Sequence, residues 1–326
     1  MTLARAVGYK GASVPRARLS RRARPSRLAP DYGALPTEQA NPRLRRLDRL
    51  TTADLVAAIT AEDRRAAASV ARVRRPLARA VDLIAETLQG GGRLLYVGAG
   101  TSGRLGVLDA AECAPTFGVP AGRVVGVIAG GRRALTRAVE GAEDRRRDGA
   151  RAMARLRVGP RDVVCAICAS GVTPFTLGAL RAARRRRART IAVTCAPSPR
   201  LRTLAEVVVA PPVGPEVLAG STRMKAGLAT KMVLHTLTTA AMVRAGKVYG
   251  NLMVDVRPTS AKLRARALRI VSGLTGLAPG RARGLLRRAG SLPKLAILMH
   301  RRGVSAQAGR RLLAAHRGHL GPALGE

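Results

Sequence analysis

The chain has 326 residues, of which 47% are hydrophobic, so it is long enough to bury a substantial core in one large domain or two smaller ones. Aromatic residues make up only 2%, which disfavours an aromatic-rich β-sandwich and favours helices packed on a buried parallel sheet. The formal net charge of +40 comes almost entirely from arginine. The arginines are spread along the whole chain and no nucleic-acid-binding motif accompanies them, so we predict no nucleic-acid partner.

The N-terminal region is basic before any helical pattern begins. Residues 1–30 contain no acidic residue, and we predict that residues 1–35 form a disordered basic extension. Apolar residues at helical spacing then predict helices over 54–59 and 64–88, the second ended by three consecutive glycines. No stretch reaches the ~20 apolar residues that a membrane span needs, and no secretory signal is recognisable. We therefore predict a cytoplasmic protein with no membrane partner.

Strands and helices alternate along the middle of the chain. Short apolar runs predict strands at 93–98, 123–129, 162–168, 190–195 and 206–210. Helical spacing predicts helices at about 100–111, 132–156, 174–186 and 222–245. This alternation indicates an α/β fold, a doubly wound parallel sheet flanked by helices.

The C-terminal part is expected to be helical throughout. Beyond Pro258 the chain shows helical patterns with breaks at Gly280, Pro293 and Gly303. We predict a sheet domain over 36–256 and a small all-helical subdomain over 257–326.

A glycine-rich turn follows the first predicted strand. The segment Gly98-Ala-Gly-Thr-Ser-Gly103 matches the dinucleotide-binding fingerprint as well as a phosphate-binding turn. A nicotinamide-binding fold needs an acidic residue after the next strand, whereas Arg132 follows it here, which disfavours NAD but leaves NADP open. Thr101 and Ser102 add hydroxyl groups at a helix N-terminus, where an anion is favoured.

A second hydroxyl-rich turn follows the third predicted strand. The segment Ser170-Gly-Val-Thr173 and the glycine-rich turn are expected at adjacent carboxyl ends of parallel strands, where open α/β sheets bind ligands. The alternative is that Ser102 and Thr173 simply cap the helices that follow them. For a pair of such turns, we favour one anion-binding pocket.

Two carboxylates stand out in a chain that is poor in acidic residues. Glu112 lies on the helix that leaves the glycine-rich turn, and Glu143 lies in Val139-Glu-Gly-Ala-Glu-Asp144. A pair of acids beside an anion pocket suits proton removal and delivery. From the residues alone, Glu140, Glu143 and Asp144 cannot be distinguished.

A third dense segment precedes the long helix at 222–245. Ser221 and Thr222 are expected to cap that helix, with Arg223 and Lys225 placed for an anion or an acidic substrate. The histidines show no metal-ligand spacing, so we predict no metal and no cofactor.

Four cysteines are too few for a disulfide framework in a chain of this length. Cys165 and Cys168 form a C-x-x-C pattern, which suggests redox or zinc chemistry, but they lie in an apolar run. We favour buried structural thiols.

Taken together, these segments resemble the sugar isomerase (SIS) domain family, and more narrowly the N-acetylmuramic acid 6-phosphate etherases. The resemblance spans roughly residues 36–320, and its segments occur in the family's order. They are Thr37-Glu-Gln-Ala-Asn-Pro42 with Leu47-Asp48, Gly98-Ala-Gly-Thr-Ser-Gly-Arg-Leu-Gly106, Asp109-Ala-Ala-Glu-Cys113, Val139-Glu-Gly-Ala-Glu-Asp144, Gly220-Ser-Thr-Arg-Met-Lys-Ala-Gly227 and Gly250-Asn-Leu-Met-Val-Asp255.

The resemblance implies a reaction and roles for matching residues. The D-lactyl ether of N-acetylmuramic acid 6-phosphate is cleaved by elimination and hydration, giving N-acetylglucosamine 6-phosphate and D-lactate. Glu112 falls on the family's proton donor and Glu143 on its second catalytic carboxylate. Ser102, Ser170 and Thr173 fall on phosphate-contacting hydroxyls, and we count Thr101, Glu216 and Ser221 as further substrate-binding residues.

The resemblance also implies a homodimer whose pocket is completed by the neighbouring chain, serving peptidoglycan recycling. The alternative is a non-catalytic sugar-phosphate-binding regulator on the same fold, as in the glucokinase regulatory proteins. The sequence departs from the family's pattern at Val172, Leu228, Thr230 and Ser260. At Val172 a polar side chain beside the phosphate is replaced, at a cost of ~1 kcal/mol for one lost hydrogen bond.

Overall fold

The structure is a computed structural model, and it describes residues 32–326. The predicted basic extension lies outside these residues except at its end, where Tyr32–Ala34 form one 3-10 turn. Residues 32–35, which the prediction placed in the extension, are thus among the residues that the structure describes.

Five parallel strands form the central sheet, in the order β2-β1-β3-β4-β5. Its strands are β1 (Leu94–Gly98), β2 (Val124–Ile128), β3 (Val163–Ile167), β4 (Arg189–Val193) and β5 (Val207–Val209). The helices of the first part of the chain are α1 (Thr52–Ala71), α2 (Arg74–Gln89), α3 (Gly100–Phe117), α4 (Arg146–Arg155), α5 (Pro174–Arg185), α6 (Pro199–Leu204) and α7 (Lys225–Arg244). The C-terminal helices are α8 (Ala261–Thr275), α9 (Pro279–Arg288), α10 (Pro293–Arg302), α11 (Ala306–Ala315) and α12 (Leu320–Leu324). The predicted doubly wound parallel sheet is confirmed.

The register of the sheet brings the ends of neighbouring strands to one level. Gly98, the last residue of β1, pairs with Ile128 of β2 on one side and with Ile167 of β3 on the other. The strand order reverses between β1 and β3, and open α/β sheets bind ligands at such a switch point. The turns after β1 and β3 therefore lie side by side.

Helices cover both faces of the sheet because successive side chains of a strand point to opposite faces. Tyr96 and Cys165 pack in the core formed with α2, α3 and α7. Leu95 and Val164 pack on the other face, in a core shared with α4 and α5. Strands β1 and β3 are buried throughout, which explains their continuous apolar sequence.

Two predicted helix boundaries near the N-terminus were wrong. The pattern at 54–59 and 64–88 is observed as α1 and α2, which break at Arg72 and Val73. Pro76 explains the break, because proline lacks an N–H group and fits only in the first turn of a helix.

The predicted helix at 132–156 was also wrong. A 3-10 turn at Gly131–Leu135 and an irregular segment precede α4, which begins only at Arg146. Gly141 in that segment has a φ of +68°, outside helical backbone. Helix α6, between β4 and β5, was not predicted.

The predicted C-terminal helices are observed, and they enclose a core of their own. Val254 and Val256 pack there with apolar residues of α8, α9 and α10. The break predicted at Gly280 was wrong, because that residue lies inside α9, and the chain turns at Gly276 (φ +71°) instead. The domain boundary at 256/257 stays a prediction.

The buried Lys294 of α10 forms hydrogen bonds that link the C-terminal helices to the segment that follows α7. Lys294 Nζ donates to Asp255 Oδ2 at 2.7 Å and to the carbonyls of Gly246 and Gly318 at 2.7 and 2.9 Å. Burial, with Lys247 nearby, lowers the pKa of Lys294, while Asp255 opposes this shift.

All four cysteines are buried and free, which confirms the prediction of structural thiols. Burial raises the pKa of Cys113 and of Cys195 to about 12, so neither is a reactive thiolate at neutral pH. Within residues 32–326, the structure has no helix that combines the length and the apolar character required to cross a bilayer.

Candidate functional site

The turn after β1 brings the start of α3 close to the end of the strand. A Cβ atom on Gly103 would lie 2.6 Å from Ile128 Cγ1 and 2.8 Å from the Gly98 carbonyl oxygen, so only glycine fits there. Helix α3 begins at Gly100, and Ala99 before it provides no side-chain cap. The free N–H groups of the first turn therefore remain available to an anion.

The turn after β3 has a similar construction. Gly171 has a φ of +70°, and a Cβ atom there would collide with the carbonyl of Ala196. The Cys168 thiol lies beneath the turn and donates to Thr173 Oγ1 at 3.0 Å. Although Thr173 is the N-cap residue of α5, its side chain makes no capping hydrogen bond.

The alternative interpretation of the two turns as helix caps is therefore wrong. Ser102 lies inside the first turn of α3 and Thr173 precedes α5, yet neither hydroxyl group caps its helix. Their geometry leaves both hydroxyl groups available to a ligand.

The two turns line one cavity of about 250 Å³. Its polar lining residues are Tyr32, Glu38, Thr101, Ser102, Glu143, Asp144, Cys168, Ser170, Thr173 and Thr222. Among residues 32–326, those that line it include three acids but neither lysine nor arginine. In a chain of net charge +40, this is a local reversal of charge, so an anion here would meet hydroxyl and N–H groups rather than cationic side chains.

Glu143 reaches the cavity from the irregular segment that replaces the predicted helix. Its backbone carbonyl accepts from the N–H of Phe175 at 2.9 Å, which ties this segment to the start of α5. Glu143 also lines an adjoining cavity of about 130 Å³. Asp144 lines the main cavity and Glu140 the adjoining one.

Glu112 does not line either cavity. Its side chain is 61% exposed and lies 3.4 Å from Lys231 Nζ on α7. Ten residues separate it from Ser102 on the same helix, which at 1.5 Å per residue corresponds to about 15 Å along the axis of α3. The structure thus separates the two carboxylates that the sequence groups together.

Asp109 of α3, one turn before Glu112, and Tyr96 of β1 form a buried polar pair. Asp109 and Tyr96 are both buried, and Asp109 Oδ2 lacks a hydrogen-bond partner among the described residues. Burial raises the pKa of the Asp109 carboxyl and, still further, that of the Tyr96 phenol. Thr238 and Lys231 lower the pKa of Asp109 in part.

The expected caps of the long helix were wrong. Helix α7 begins at Lys225, and its N-terminus is held by Glu216, whose two carboxylate oxygens accept from the N–H groups of Lys225 and Ala226 at 2.8 and 2.9 Å. Glu216 is fully buried and does not line the cavity. Neither Ser221 nor Thr222 caps the helix.

The lysine expected to meet an anion is used inside the protein. Lys225 Nζ lies 2.5 Å from Glu62 Oε2, and both side chains are buried. Ser221 is half-buried beside the cavity without lining it, although its neighbours Gly220 and Thr222 do. A substrate-binding role for Glu216 and Ser221 stays a prediction.

Sequence reasoning missed Tyr32 and Glu38 as lining residues. The N–H of Gly220 donates to the Thr37 carbonyl at 2.8 Å, which holds this N-terminal segment over the cavity. Gly220 has a φ of +77°, and a Cβ atom there would lie 2.9 Å from Glu38 Oε2. The available signal was the segment Thr37-Glu-Gln-Ala-Asn-Pro42, which matched the family but had been given no role.

Two comparisons with known proteins concern the part of the chain that forms the sheet. The family model of the glucokinase regulatory protein N-terminal SIS domain matches residues 76–184, which contain both turns. Among solved structures, a phosphoheptose isomerase from Neisseria gonorrhoeae aligns with a TM-score of 0.44 and 21% identity over 58% of this chain and 98% of that one, too distant to add to the assignment.

Curated relatives match almost the whole chain. The chain is 52% identical to a protein of Gloeothece citriformis over 90% of its own length and 96% of the relative, and 52% identical to one of Rubrobacter xylanophilus over 90% and 97%. It is 50% identical to a Yersinia pestis protein over 90% and 99%. All three are named N-acetylmuramic acid 6-phosphate etherase. Identity at this level over nearly the full length shows that this chain belongs to the N-acetylmuramic acid 6-phosphate etherase family.

Proposed function

We propose that this protein is a carbon-oxygen lyase that cleaves the D-lactyl ether of N-acetylmuramic acid 6-phosphate, giving N-acetylglucosamine 6-phosphate and D-lactate. The observation that supports this most is one cavity in which two hydroxyl-rich turns face Glu143. The names of relatives half identical to this chain support the same substrate.

The 6-phosphate is expected at the start of α3. The free N–H groups of that turn, with the hydroxyl groups of Thr101 and Ser102, provide donors on one side, and those of Ser170 and Thr173 provide donors on the other. A helix N-terminus favours a dianion even without a cationic side chain. The sugar carbons would then extend toward Glu143.

The chemistry requires one base and one acid. In the open-chain sugar, the aldehyde at C1 acidifies the proton on C2; a base removes this proton, the C3–O bond breaks, and an acid protonates the departing lactate oxygen. Water then adds across the C2–C3 double bond, its hydroxyl group to C3 and its proton to C2. We assign these transfers to Glu143 and Glu112, with Glu112 as proton donor, and no cofactor is needed.

A second candidate is a regulator that binds a sugar phosphate without turnover. The match to the glucokinase regulatory protein domain is the one finding that favours it. The near full-length identity to etherases and the presence of both glutamates favour the enzyme.

Release of D-lactate tests the proposal directly. Purified protein is incubated with N-acetylmuramic acid 6-phosphate, and D-lactate is measured with a coupled dehydrogenase assay. We expect turnover by the wild type and a loss of at least 100-fold in kcat for Glu112→Gln and Glu143→Gln, since general acid–base groups contribute about 10²–10⁴-fold. Glu206→Gln is the matched control, because Glu206 pairs with Arg189 at the surface, remote from the cavity. Binding without turnover by the wild type would refute the etherase and support the regulator.

The remaining expectations belong to the same proposal. The protein would act in the cytoplasm, in peptidoglycan recycling, as a homodimer whose pocket the neighbouring chain completes. Its positive charge would have no nucleic-acid partner.

A further inference from the structure

Acidic side chains are few in this chain, and away from the cavity most of them pair with a cation. The sequence has 19 aspartates and glutamates against 59 lysines and arginines. The exposed acids Glu86 and Glu326 lie 3.8 and 3.0 Å from arginine nitrogens. In contrast, the three acids that line the cavity, Glu38, Glu143 and Asp144, form no ion pair within residues 32–326.

Glu38 differs from the other two acids because it comes from the N-terminal segment. Thr37 before it is 0% exposed and Asn41 after it is 5% exposed. The Thr37 carbonyl accepts from the N–H of Gly220 at 2.8 Å, and the N–H of Glu38 itself donates to the Leu35 carbonyl at 3.0 Å. Buried neighbours on both sides and these backbone bonds therefore hold Glu38 at the cavity.

The carboxylate of Glu38 lies against backbone that offers it no donor. A Cβ atom on Gly220, whose φ is +77°, would lie 2.9 Å from Glu38 Oε2, so glycine leaves the room for this side chain. The N–H of Gly220 is already bonded to Thr37. Within residues 32–326, neither oxygen of the Glu38 carboxylate accepts a hydrogen bond. Both oxygens are therefore free to accept from a ligand.

The donors and the acceptors of the cavity come from different parts of the chain. The turns after β1 and β3 supply hydroxyl groups and the free N–H groups at the start of α3, all of which can donate. The three acids, when ionised, can only accept. A ligand that satisfies both sets has an anionic group and, a few bonds away, O–H or N–H groups. A sugar phosphate has both, whereas inorganic phosphate satisfies only the turns and is repelled by the acids.

We propose that Glu38 is a substrate-binding residue whose carboxylate accepts hydrogen bonds from the O–H and N–H groups of the sugar, so that it distinguishes a sugar phosphate from phosphate alone. Hydrogen bonds to a charged acceptor are strong, and the same negative charge disfavours an anion that brings no donors. Glu38 binds the sugar, while the proton transfers stay with Glu143 and Glu112. This role rests on the proposed function, because the ligand is the sugar phosphate of that reaction.

The role is tested by calorimetric titration with two probes, N-acetylglucosamine 6-phosphate and inorganic phosphate. For Glu38→Ala we expect affinity for the sugar phosphate to fall about 10-fold or more, since the lost bond has a charged acceptor. Its affinity for inorganic phosphate should stay the same or rise, because a like charge is removed. Glu38→Gln keeps one acceptor oxygen and should lose less than Glu38→Ala. Gln39→Ala is the matched control: Gln39 is the next residue of the same segment, donates to the Gly33 carbonyl and does not line the cavity.

The control and the second probe exclude a merely structural role. Equal losses for both probes, or the same loss in Gln39→Ala, would mean that the packing of the segment matters rather than the carboxylate, and would overturn the proposal. In D-lactate release, Glu38→Gln should raise KM and change kcat by less than about fivefold. A kcat about 100-fold lower at unchanged KM would make Glu38 a proton-transfer group instead, which also overturns the binding role.

The two proposals can fail separately. Turnover by the wild type together with wild-type affinities in Glu38→Ala would refute the role of Glu38 alone. A wild type that releases no D-lactate, but binds the sugar phosphate in a manner that depends on Glu38, would refute the etherase function alone. A wild type that binds no sugar phosphate would overturn both.

Discussion

Substitution of Glu216 by glutamine separates a structural role from a substrate-binding one. Glu216 was expected to bind substrate, but its two oxygens accept from the first N–H groups of α7 and it is 0% exposed. We therefore predict that Glu216→Gln lowers stability without changing substrate affinity.

The expected loss of stability follows from the two hydrogen bonds. The glutamine oxygen can still accept from one N–H group, but its amide group faces the other, which is left buried without an acceptor at a cost of about 1–3 kcal/mol. Loss of the negative charge at the N-terminus of α7 costs about 1 kcal/mol more. Burial raises the pKa of Glu216, although the two N–H groups and Lys225 oppose this shift. The buried negative charge is therefore itself unfavourable, and its removal in Glu216→Gln offsets part of the lost stability. A net loss of about 2 kcal/mol lowers the unfolding temperature by roughly 4 °C in a chain of this size.

The assay combines thermal unfolding with steady-state kinetics. Glu206→Gln provides the control, since its ion pair with Arg189 is surface-exposed and contributes at most about 1 kcal/mol. The reasoning is refuted if Glu216→Gln unfolds at the wild-type temperature while its KM for the sugar phosphate rises tenfold. That result would place the side chain at the substrate after all.

Three further experiments test packing and charge pairs in the fold. Lys225→Met removes the buried one of the two cations that pair with Glu62 and leaves the half-exposed Arg65 as the other, so urea unfolding should show a loss of about 1–3 kcal/mol, part of it recovered when Glu62→Leu is added. Burial alone would raise the pKa of Asp162. Hydrogen bonds from the guanidinium of Arg93 and from the backbone N–H of Gly159 instead hold this pKa below its ordinary value. The free energy of unfolding of the wild type should therefore exceed that of Asp162→Asn by a constant amount around neutral pH. This difference should shrink only as the pH falls below about 4. A difference that already shrinks at pH 6 would contradict the reasoning. Gly103→Ala places a Cβ atom 2.6 Å from Ile128 Cγ1 and should abolish sugar-phosphate binding or folding. The control is Gly273→Ala in α8, where a Cβ atom meets nothing within 4 Å. In urea unfolding, this variant should be more stable than the wild type by up to about 1 kcal/mol.

The strands of the parallel sheet were predictable because each one is an apolar run in the sequence. Strands β1 and β3 are buried on both faces, so they appear as uninterrupted apolar runs. Close packing explains the glycines that follow them, and the proposed phosphate binding would explain the hydroxyl residues. The pairing of Gly98 with Ile167 then places the two turns together, as expected. These features are local in sequence, and the rule that crossovers between parallel strands are right-handed sets the faces on which the helices lie.

Features that depend on distant contacts were not predictable. Glu216 was assigned to the substrate because it lies in a conspicuous motif, and only the fold shows its carboxylate on the N-terminus of α7. Lys225 was assigned to an anion for the same reason, whereas its partner Glu62 is far away in sequence. Glu38 was missed because the contact of its segment with Gly220 joins two loops that no periodic pattern connects.

The contrast between the charge of the whole chain and that of its cavity is consistent with the proposed function. The field of a chain with net charge +40 attracts a dianionic sugar phosphate from a distance, so the cavity itself needs no cation for capture. A guanidinium within about 4–6 Å of a carboxylate lowers its pKa by about 1–3 units, and this would make it a poorer base for the C2 proton. In the proposed function, hydroxyl and backbone N–H donors would hold the phosphate without lowering the pKa of the base in this way. An arginine introduced at Thr222, which lines the cavity, should accordingly tighten phosphate binding and lower kcat. The same substitution at Met224, which is half-buried and does not line the cavity, should do neither. If Thr222→Arg raised kcat together with affinity, the absence of cations from this cavity would need another explanation.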